Sequence, residues 1–268
     1  MKQTFGLVFF ALLFGCVLAG NKPESVSAKG TQSGRVVNGT SVSSENYPFV
    51  VSMHRYLGGF FCAASIITDK HALTAGHCLV GNIVKPADFV LIGGSSYVDS
   101  GILFFVSNYS VHPKYSVDND TADYDAAIVT IDGTFDNFTN IAPISLPKTA
   151  INYSRNNPTW CYVVGWGRTD GKMPTYPETL QHAWMQVVSQ YKCQQIYIRK
   201  TAITSRMICA DLPNTSACYG DSGGPLVCNG ELTGIVSWGS DYCSGQPSVF
   251  AKVDSTSIRE FIKEIAGI

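Results

Sequence analysis

Short runs of β-branched and aromatic residues recur along most of the chain, and they predict strands rather than helices. Turn-forming Gly, Pro, Asn and Asp residues separate the runs. The predicted strands are Phe49–Met53, Phe89–Ile92, Leu103–Val106, Ala127–Ile131, Tyr162–Val164, Trp184–Val188, Leu232–Trp238 and Val249–Val253. This pattern favours an all-β sandwich or barrel, and periodicity alone does not choose between the two.

The last segment of the chain follows a different period. Apolar residues recur there at helical spacing, at Ile258, Phe261, Ile262 and Ile265. Ser257 and Glu260 have the spacing of a capping box. These features predict a short α-helix over 255–268 that packs on the β-rich body.

Two segments of different character precede the β-rich region. Lys2, the apolar run 5–18 and the small residues Ala19 and Gly20 are typical of a secretory signal peptide, which we assign to 1–19. A lipoprotein anchor at Cys16 is the alternative, and bulky Phe14 argues against it. Residues 20–35 are polar and contain too few apolar residues to fold alone.

The cysteines and glycosylation sequons indicate an oxidising, extracellular destination. Removal of the signal peptide takes away Cys16 and leaves eight of the nine cysteines, an even number that suits disulfides. Sequons of the form Asn-x-Ser/Thr begin at Asn38, Asn108, Asn119, Asn137, Asn152 and Asn214. The sequence therefore predicts a secreted glycoprotein.

Charge and motif content exclude several function classes. The formal net charge of the chain is -1, which predicts no attraction to nucleic acid. Beyond the signal peptide no apolar stretch reaches transmembrane length, so no membrane partner is expected. The chain lacks a Cys-x-x-Cys pair, and we predict neither a metal nor another cofactor.

Three separated motifs contain the groups that nucleophilic hydrolysis requires. Ser222 lies among small residues in the run GDSGGP at 220–225, which would let a substrate carbonyl approach the backbone. A serine hydroxyl needs a general base, and His77 in LTAGHC at 73–78 offers one. Asp125 in DYDAA at 123–127 offers a carboxylate to orient that base.

These motifs resemble those of the chymotrypsin-like (trypsin-fold) serine peptidases, and the resemblance extends over 36–268. It implies two antiparallel six-stranded Greek-key β-barrels, at 36–145 and 150–254, followed by the helix. It makes His77 the base, Asp125 its orienting group and Ser222 the nucleophile, and it makes the backbone N–H groups of Gly220 and Ser222 the oxyanion hole. Asp125 is preferred to Asp123 because it precedes an apolar strand.

The same resemblance implies a set of disulfides and a mode of activation. The implied pairs are Cys62 with Cys78, Cys161 with Cys228, Cys193 with Cys209, and Cys218 with Cys243. A trypsin-like protease would cut after Arg35, and the new ammonium group of Val36 would pair with Asp221. Because a glycan at Asn38 would hinder this insertion, we expect that sequon to be poorly occupied.

The resemblance also locates the substrate pocket. Ser216 would form its floor and Gly239 and Ser248 its walls, while Ser237 and Trp238 lie on the strand that binds the substrate. Since none of these residues is a carboxylate, cleavage after basic residues is disfavoured. Large apolar or aromatic side chains before the cut are preferred, with medium aliphatic ones second. Expected partners are protein or peptide substrates and protein protease inhibitors.

Some positions depart from the common family pattern, and two other functions remain open. Gly76 stands where alanine is usual, and Ala63 and Ala64 replace a glycine pair. Between residues 91 and 112 only Asp99 is acidic, which predicts no calcium site there. The alternatives are a catalytically silent homologue that binds a partner, and an esterase with a Gly-x-Ser-x-Gly elbow. The intact triad opposes the first, and the order His, Asp, Ser opposes the second.

Overall fold

The computed structural model describes residue 37 and residues 39–81, 85–116, 121–151, 153–170 and 175–268. Several sequence predictions therefore lie outside the described residues: the signal peptide 1–19, the propeptide 20–35, Arg35, Val36, and the sequons at Asn38, Asn119 and Asn152. The other three sequons begin at exposed asparagines, namely Asn108, Asn137 and Asn214.

Antiparallel strands dominate the described chain. They are β1 (Thr40–Ser41), β2 (Val50–Arg55), β3 (Gly59–Ile66), β4 (His71–Thr74), β5 (Phe89–Gly93), β6 (Ile102–Val111), β7 (Ala127–Ile131), β8 (Trp160–Gly165), β9 (Gln181–Val188), β10 (Met207–Asp211), β11 (Pro225–Cys228), β12 (Glu231–Trp238) and β13 (Ser248–Lys252). The helices are α1 (Gly76–Leu79), α2 (Gln190–Tyr197) and α3 (Thr256–Ala266).

The strands form two closed barrels. In the first barrel the order is β2-β3-β4-β7-β6-β5, and β5 pairs with β2 to close it. In the second barrel the order β9-β10-β13-β12-β11-β8 is closed by pairing of β8 with β9, and β1 adds to the edge of β9. Strands distant in sequence are therefore neighbours in each barrel, as β4 and β7 are. The all-β prediction with two six-stranded barrels is confirmed.

The apolar side chains of the barrels form the core. One buried cluster fills the first barrel and continues across its contact with the second, through Trp166, Leu180 and Ile235, to Phe261 and Ile262 of α3. A smaller cluster fills the second barrel. Strand β9 shows why alternation matters: its residues are buried and partly exposed in turn, as expected of a strand with one face on a core.

Helix α3 includes the predicted apolar stripe, but the predicted capping box is wrong. The helix starts at Thr256, one residue before Ser257, so Ser257 already lies in its first turn. Ser255 is the N-cap residue, and its side chain makes no capping hydrogen bond. None of the helices in the described part of the chain is long and apolar enough to cross a membrane.

Candidate active site

His77 and Asp125 come together from two neighbouring strands of the first barrel. Strand β4 leads into the one-turn helix α1, which contains His77, and Asp125 precedes β7, the strand that pairs with β4. The ring atom Nδ1 of His77 lies 2.8 Å from Oδ2 of Asp125, and the backbone N–H of His77 donates to Oδ1 over 2.9 Å. Both carboxylate oxygens are therefore used to fix the imidazole.

Asp125 is fully buried, and a residue of the second barrel completes its surroundings. Ser237, in β12, donates its hydroxyl hydrogen to Oδ2 over 2.5 Å. Burial by itself would raise the pKa of the Asp125 carboxyl, but the His77 ring and these donors outweigh it and hold the pKa below its usual range. In turn, burial disfavours the charged imidazole, yet the Asp125 carboxylate raises the pKa of His77 above 6.5.

Gly76 and Tyr115 explain one departure from the common family pattern. A Cβ atom on Gly76 would lie 2.9 Å from the ring of Tyr115 and 3.3 Å from Oδ1 of Asp125. The tyrosine ring therefore occupies the space that an alanine methyl group would need. Burial, with a smaller effect of the Asp125 charge, raises the pKa of Tyr115, so this side chain stays neutral.

The Ser222 segment packs against the strand end that leads to His77. The carbonyl oxygen of Ser222 accepts a hydrogen bond from the backbone N–H of Ala63 over 2.8 Å. A Cβ atom on Gly223 would lie only 2.1 Å from Oγ1 of Thr74 and 2.4 Å from the carbonyl oxygen of Ala63. Glycine is therefore required for this close approach, which brings the serine loop to the segment that precedes His77.

The turn at Gly220 presents the proposed oxyanion donors. Gly220 has φ of +97°, a conformation that favours glycine, and a Cβ atom there would lie 2.8 Å from the ring of Tyr176. The neighbouring Tyr219 carbonyl oxygen accepts from the backbone N–H of Arg168 over 2.7 Å. The Arg168 guanidinium lies 5.2 Å from the Tyr176 ring centre and 5.1 Å from that of Tyr219.

Comparison with known families agrees with this geometry. The family model described as Trypsin matches residues 36–262, which is most of the chain. The chain belongs to the trypsin family. It is accordingly a serine endopeptidase, a hydrolase of peptide bonds.

Individual relatives of this trypsin-family chain include proteins named trypsin and a solved serine protease. It is 35% identical to Trypsin 5G1 of Aedes aegypti, an alignment that covers 97% of this chain and 96% of that protein. It is 34% identical to Trypsin delta of Drosophila melanogaster, covering 89% and 91% of the two chains. The solved structure of neuropsin, a serine protease expressed in the limbic system of mouse brain, aligns with a TM-score of 0.76 at 28% identity, over 86% of this chain and 100% of that one.

A cleft of about 520 Å³ lies beside Ser222 in the trypsin-family chain. Ser237, Trp238 and Gly239 are among the residues that line it. The only carboxylate among its described lining residues is that of Asp241. Lys200 neutralises this carboxylate with Nζ at 3.2 Å from Oδ1, and the same ammonium group donates to the carbonyl oxygen of Gly239.

Ser216 and Ser248 lie behind the cleft wall rather than on its lining. Both are buried, and their hydroxyl oxygens are 3.1 Å apart. Ser216 also donates to the carbonyl oxygen of Ala217, and Ser248 accepts from the backbone N–H of Ala217. Because serine hydroxyl groups are neutral, these two residues place no charge near the base of the cleft.

Asp221 is the second buried carboxylate of the region. Its oxygens accept from the backbone N–H groups of Gly167 and Cys218, at 2.8 and 2.9 Å. Of the described residues, no Lys, Arg or His lies within ion-pair distance of it. Burial raises its pKa to about 7, although the two N–H donors act in the opposite direction.

The disulfides in the structure are Cys62–Cys78, Cys161–Cys228, Cys193–Cys209 and Cys218–Cys243, the same pairs that the resemblance implies. Two of them border the site, because Cys78 follows His77 and Cys218 precedes the oxyanion turn. Cys62, His77 and Cys78 are also close enough together to resemble a metal site. Since both cysteines are in one disulfide, this cluster offers no thiolate ligands.

The sequence analysis did not identify several residues that shape the site. Gly165 and Gly167 leave room for Asp221, because a Cβ atom on either would lie 2.5 or 2.3 Å from its carboxylate oxygens. Lys200 was missed because it lies in a turn far from any motif. The run Gly165-Trp166-Gly167 was a usable signal, since two glycines around a tryptophan suggest close backbone packing.

Proposed function

We propose that this chain is the precursor of a secreted serine endopeptidase that is activated by cleavage after Arg35 and cuts peptides after large apolar or aromatic residues. His77, Asp125 and Ser222 would perform the chemistry. The observation that supports this most directly is the His77–Asp125–Ser237 hydrogen-bond line, which joins both barrels beside the cleft that contains Ser222.

The geometry at His77 supports Nε2 as the nitrogen that acts as the base. Because Nδ1 bonds to the Asp125 carboxylate, Nδ1 would hold the proton and Nε2 would be the unprotonated nitrogen that accepts one. Nε2 would take the proton of Ser222 as its Oγ attacks the substrate carbonyl carbon, and would then give it to the leaving amine. The acyl-enzyme that forms is hydrolysed when water repeats the attack with the same base.

The negative oxygen of each tetrahedral intermediate needs donors that are already in place. The backbone N–H groups of Gly220 and Ser222 would supply them, because the turn at Gly220 and the packing of Gly223 hold this segment in position. Loss of one such donor typically costs about 3 kcal/mol of transition-state stabilisation.

The cleft supports an apolar rather than a basic preference. Its one lining carboxylate, Asp241, is paired with Lys200, and Ser216 and Ser248 satisfy each other. A buried Lys or Arg side chain of a substrate would therefore lack a counter-charge. The relatives named trypsins share the scaffold with this chain, but specificity depends on these pocket residues.

Asp221 supports the proposed activation step. Val37 forms an antiparallel bridge with Ser216. Val37 is the second residue after Arg35, so the chain just beyond the proposed cleavage position is paired close to the Cys218–Asp221 turn. Asp221 is buried without a described cation, and the new α-ammonium group of Val36 would provide one. The pairing would then stabilise the oxyanion turn in its working conformation.

One experiment tests both parts of the proposal. The precursor is cut after Arg35, and cleavage of peptides that differ only in the residue before the cut is measured, with Ser222→Ala as the inactive control. We expect Phe, Tyr or Leu substrates to dominate and Ser216→Asp to shift the preference toward Arg and Lys. Dominant cleavage after Arg by the unaltered enzyme would overturn the specificity assignment.

One further variant addresses activation, and a chemical probe addresses the silent-homologue alternative. Arg35→Gln should give a secreted but inactive precursor, and full activity of this uncut variant would contradict the activation step. A serine-reactive fluorophosphonate probe should label the processed enzyme at Ser222. Absence of labelling would instead favour a silent homologue that acts by binding.

A further inference from the structure

The segment Thr121–Asp125 contributes to two parts of the site at once. Thr121 and Ala122 line the cleft beside Ser222, while Asp125 at the other end of the segment holds His77. A shift of this short segment would therefore displace the cleft wall and the triad carboxylate together. What holds the segment in place thus affects both substrate binding and catalysis.

The segment itself adopts a backbone conformation that needs external support. Ala122 has φ of +47° and Tyr124 has φ of +58°, in the left-handed region that residues with side chains rarely occupy. Such conformations persist only where the surrounding contacts determine them. In this segment they occur immediately before the triad carboxylate.

Arg206, a residue of the second barrel, binds the middle of the segment. Its Nε lies 2.9 and 3.1 Å from the two carboxylate oxygens of Asp123, and its Nη2 lies 2.5 Å from Oδ2. Thr204 adds a hydrogen bond from its hydroxyl group to Oδ1 over 2.9 Å. The side chains of Arg206 and Asp123 are only 27% and 11% exposed, so solvent screens this forked pair less than a surface ion pair.

The same guanidinium group packs on the next residue of the segment. The Arg206 Cζ lies 4.4 Å from the ring centre of Tyr124, and the His112 ring stacks on Tyr124 at 4.9 Å with an interplanar angle of 25°. His112 in turn contacts Phe261 of α3 at 5.2 Å. The Tyr124 ring thus lies between Arg206 of the second barrel and His112, which in turn packs on the carboxy-terminal helix.

We propose that Arg206 is a positioning residue: by binding Asp123 and packing on Tyr124, it holds the segment so that Asp125 faces His77 and Ala122 forms the cleft wall. This inference rests on the proposed roles of His77, Asp125 and Ser222. The second barrel would then hold Asp125 in two ways. Ser237 binds the Asp125 carboxylate directly, and Arg206 binds the segment that precedes it.

The test compares Arg206 with a matched cation on the same barrel. Lys252 is 22% exposed and pairs with Asp254 at 3.5 Å, and its backbone N–H donates to the carbonyl oxygen of Arg206. It thus resembles Arg206 in exposure and location, but it is not an ion-pair partner of Asp123. We compare the unaltered enzyme with three variants after processing, namely Arg206→Gln, Arg206→Lys and Lys252→Gln. The activity of each is divided by the fraction of molecules that a fluorophosphonate probe labels.

We expect Arg206→Gln to lower kcat/KM about 10- to 100-fold per active site, with kcat reduced and KM raised, because displacements near 1 Å have effects of this size. Arg206→Lys should recover part of kcat, since it restores the charge but neither the fork nor the stacking. Lys252→Gln should leave kcat/KM within about 2-fold of the unaltered enzyme, because the ion-pair partner of Lys252 is Asp254, which lies outside the segment Thr121–Asp125.

A pH profile distinguishes positioning from a general loss of stability. Asp125 raises the pKa of His77, so a displaced Asp125 should move the acid limb of kcat/KM to lower pH in Arg206→Gln. Asp123→Asn should show the same shift, and the double variant should be no worse than the worse single one. If Arg206→Gln fails to fold, Asp123→Asn, which has the same shape as the natural residue, provides the decisive comparison.

The outcomes separate this inference from the proposed function. An unaltered, processed enzyme without activity would contradict the proposed function itself. An active enzyme in which Arg206→Gln and Asp123→Asn match Lys252→Gln in kcat, KM and acid limb would contradict the positioning role alone.

Discussion

Asp125 and Asp221 are both buried in the same site, yet their surroundings differ. The fold surrounds Asp125 with the ring and backbone N–H of His77 and the hydroxyl of Ser237, and its pKa falls. Among the described residues, the backbone N–H groups of Gly167 and Cys218 donate to the Asp221 carboxylate, and its pKa rises to about 7. The first carboxylate is stable as an anion, whereas no described cation stabilises the second.

This difference indicates how the site divides its tasks. The proposed base and its orienting group are assembled by contacts among described residues, so we expect them to be in place before processing. The proposed oxyanion turn would depend on Asp221, and the cation that we propose for Asp221 is the new amino terminus. Activity would then be controlled through the oxyanion turn, while the proton-transfer groups stay preformed.

Asp125→Asn should have the largest effect among the tests of this difference between Asp125 and Asp221. Because an amide cannot hold the His77 tautomer in the same way, kcat should fall about 10⁴-fold, as this change does in serine-protease triads generally. Initial rates on a chromogenic peptide measure the loss. Asp99→Asn is the matched control, since Asp99 also faces a histidine, His54, at 3.6 Å but is exposed. A loss below about 10-fold for Asp125→Asn would contradict the triad assignment.

Asp221→Asn should affect activity and stability in opposite directions. In the processed enzyme the neutral side chain cannot pair with the ammonium group, and misplaced oxyanion donors should lower kcat at least about 100-fold. In the uncut Arg35→Gln background, however, the variant should be more stable than its parent at pH 8.

The sign follows from proton binding. The Asp221 carboxyl has a pKa of about 7 in the folded chain and 3.8 in the reference state, so between these values the folded chain binds more protons than the unfolded one. Stability of the precursor therefore falls as pH rises from about 4 to 7, and the Asn variant lacks this loss. Urea unfolding at pH 4 and pH 8 measures it. Equal stability of parent and variant at pH 8 would show that Asp221 already has a cation.

Gly167→Ala tests how closely the backbone at Gly167 packs on the Asp221 carboxylate. The added methyl group would lie 2.3 Å from the carboxylate, so we expect the free energy of unfolding to fall by about 2 kcal/mol. Gly58→Ala is the control, because a Cβ atom there meets its nearest neighbour at an ordinary 3.4 Å. Denaturant unfolding gives the free energy of unfolding of both variants. Equal values for the two would argue against close packing of Gly167 on the Asp221 carboxylate.

The smallest expected effect is that of Ser237→Ala. It removes one donor to Asp125 while leaving His77 bound, so kcat/KM should fall about 10-fold. The unaltered enzyme should lose activity as pH falls through a His77 pKa above 6.5, since only the neutral ring accepts a proton. Rate profiles against pH measure both properties, with Ser107→Ala as a control for loss of an exposed serine hydroxyl. An unchanged rate would mean that Ser237 is dispensable for Asp125.

The sequence predicted eight of the thirteen described strands and missed β3, although it has eight residues, together with the shorter β1, β4, β10 and β11. Strand β7 has the predicted bounds, because Ala127–Ile131 is an apolar run of high β-propensity. Strands β4 and β11 have only four residues each, and β11 begins with Pro225, so neither gives a periodic signal. Helix α2 was also missed, although Ser189 before it accepts the hydrogen bond of an N-cap.

In the candidate site, motifs predicted the proposed reacting groups, but they did not predict Arg206 or Lys200, which bind residues around the cleft. His77, Asp125 and Ser222 each lie in a short sequence motif whose residue types suggest a chemical role. Arg206 and Lys200 act through partners more than 40 residues away in the sequence, and no local pattern shows such pairs. Only the folding of the second barrel against the first brings Arg206 to Asp123.

The bridge between Val37 and Ser216 has a consequence for how selectivity can evolve in this molecule. Ser216, the proposed floor of the recognition cleft, pairs with Val37, which follows the proposed new amino terminus, so one backbone contact would serve both recognition and activation. Replacing that residue to accept a new side chain would also alter how readily the enzyme matures.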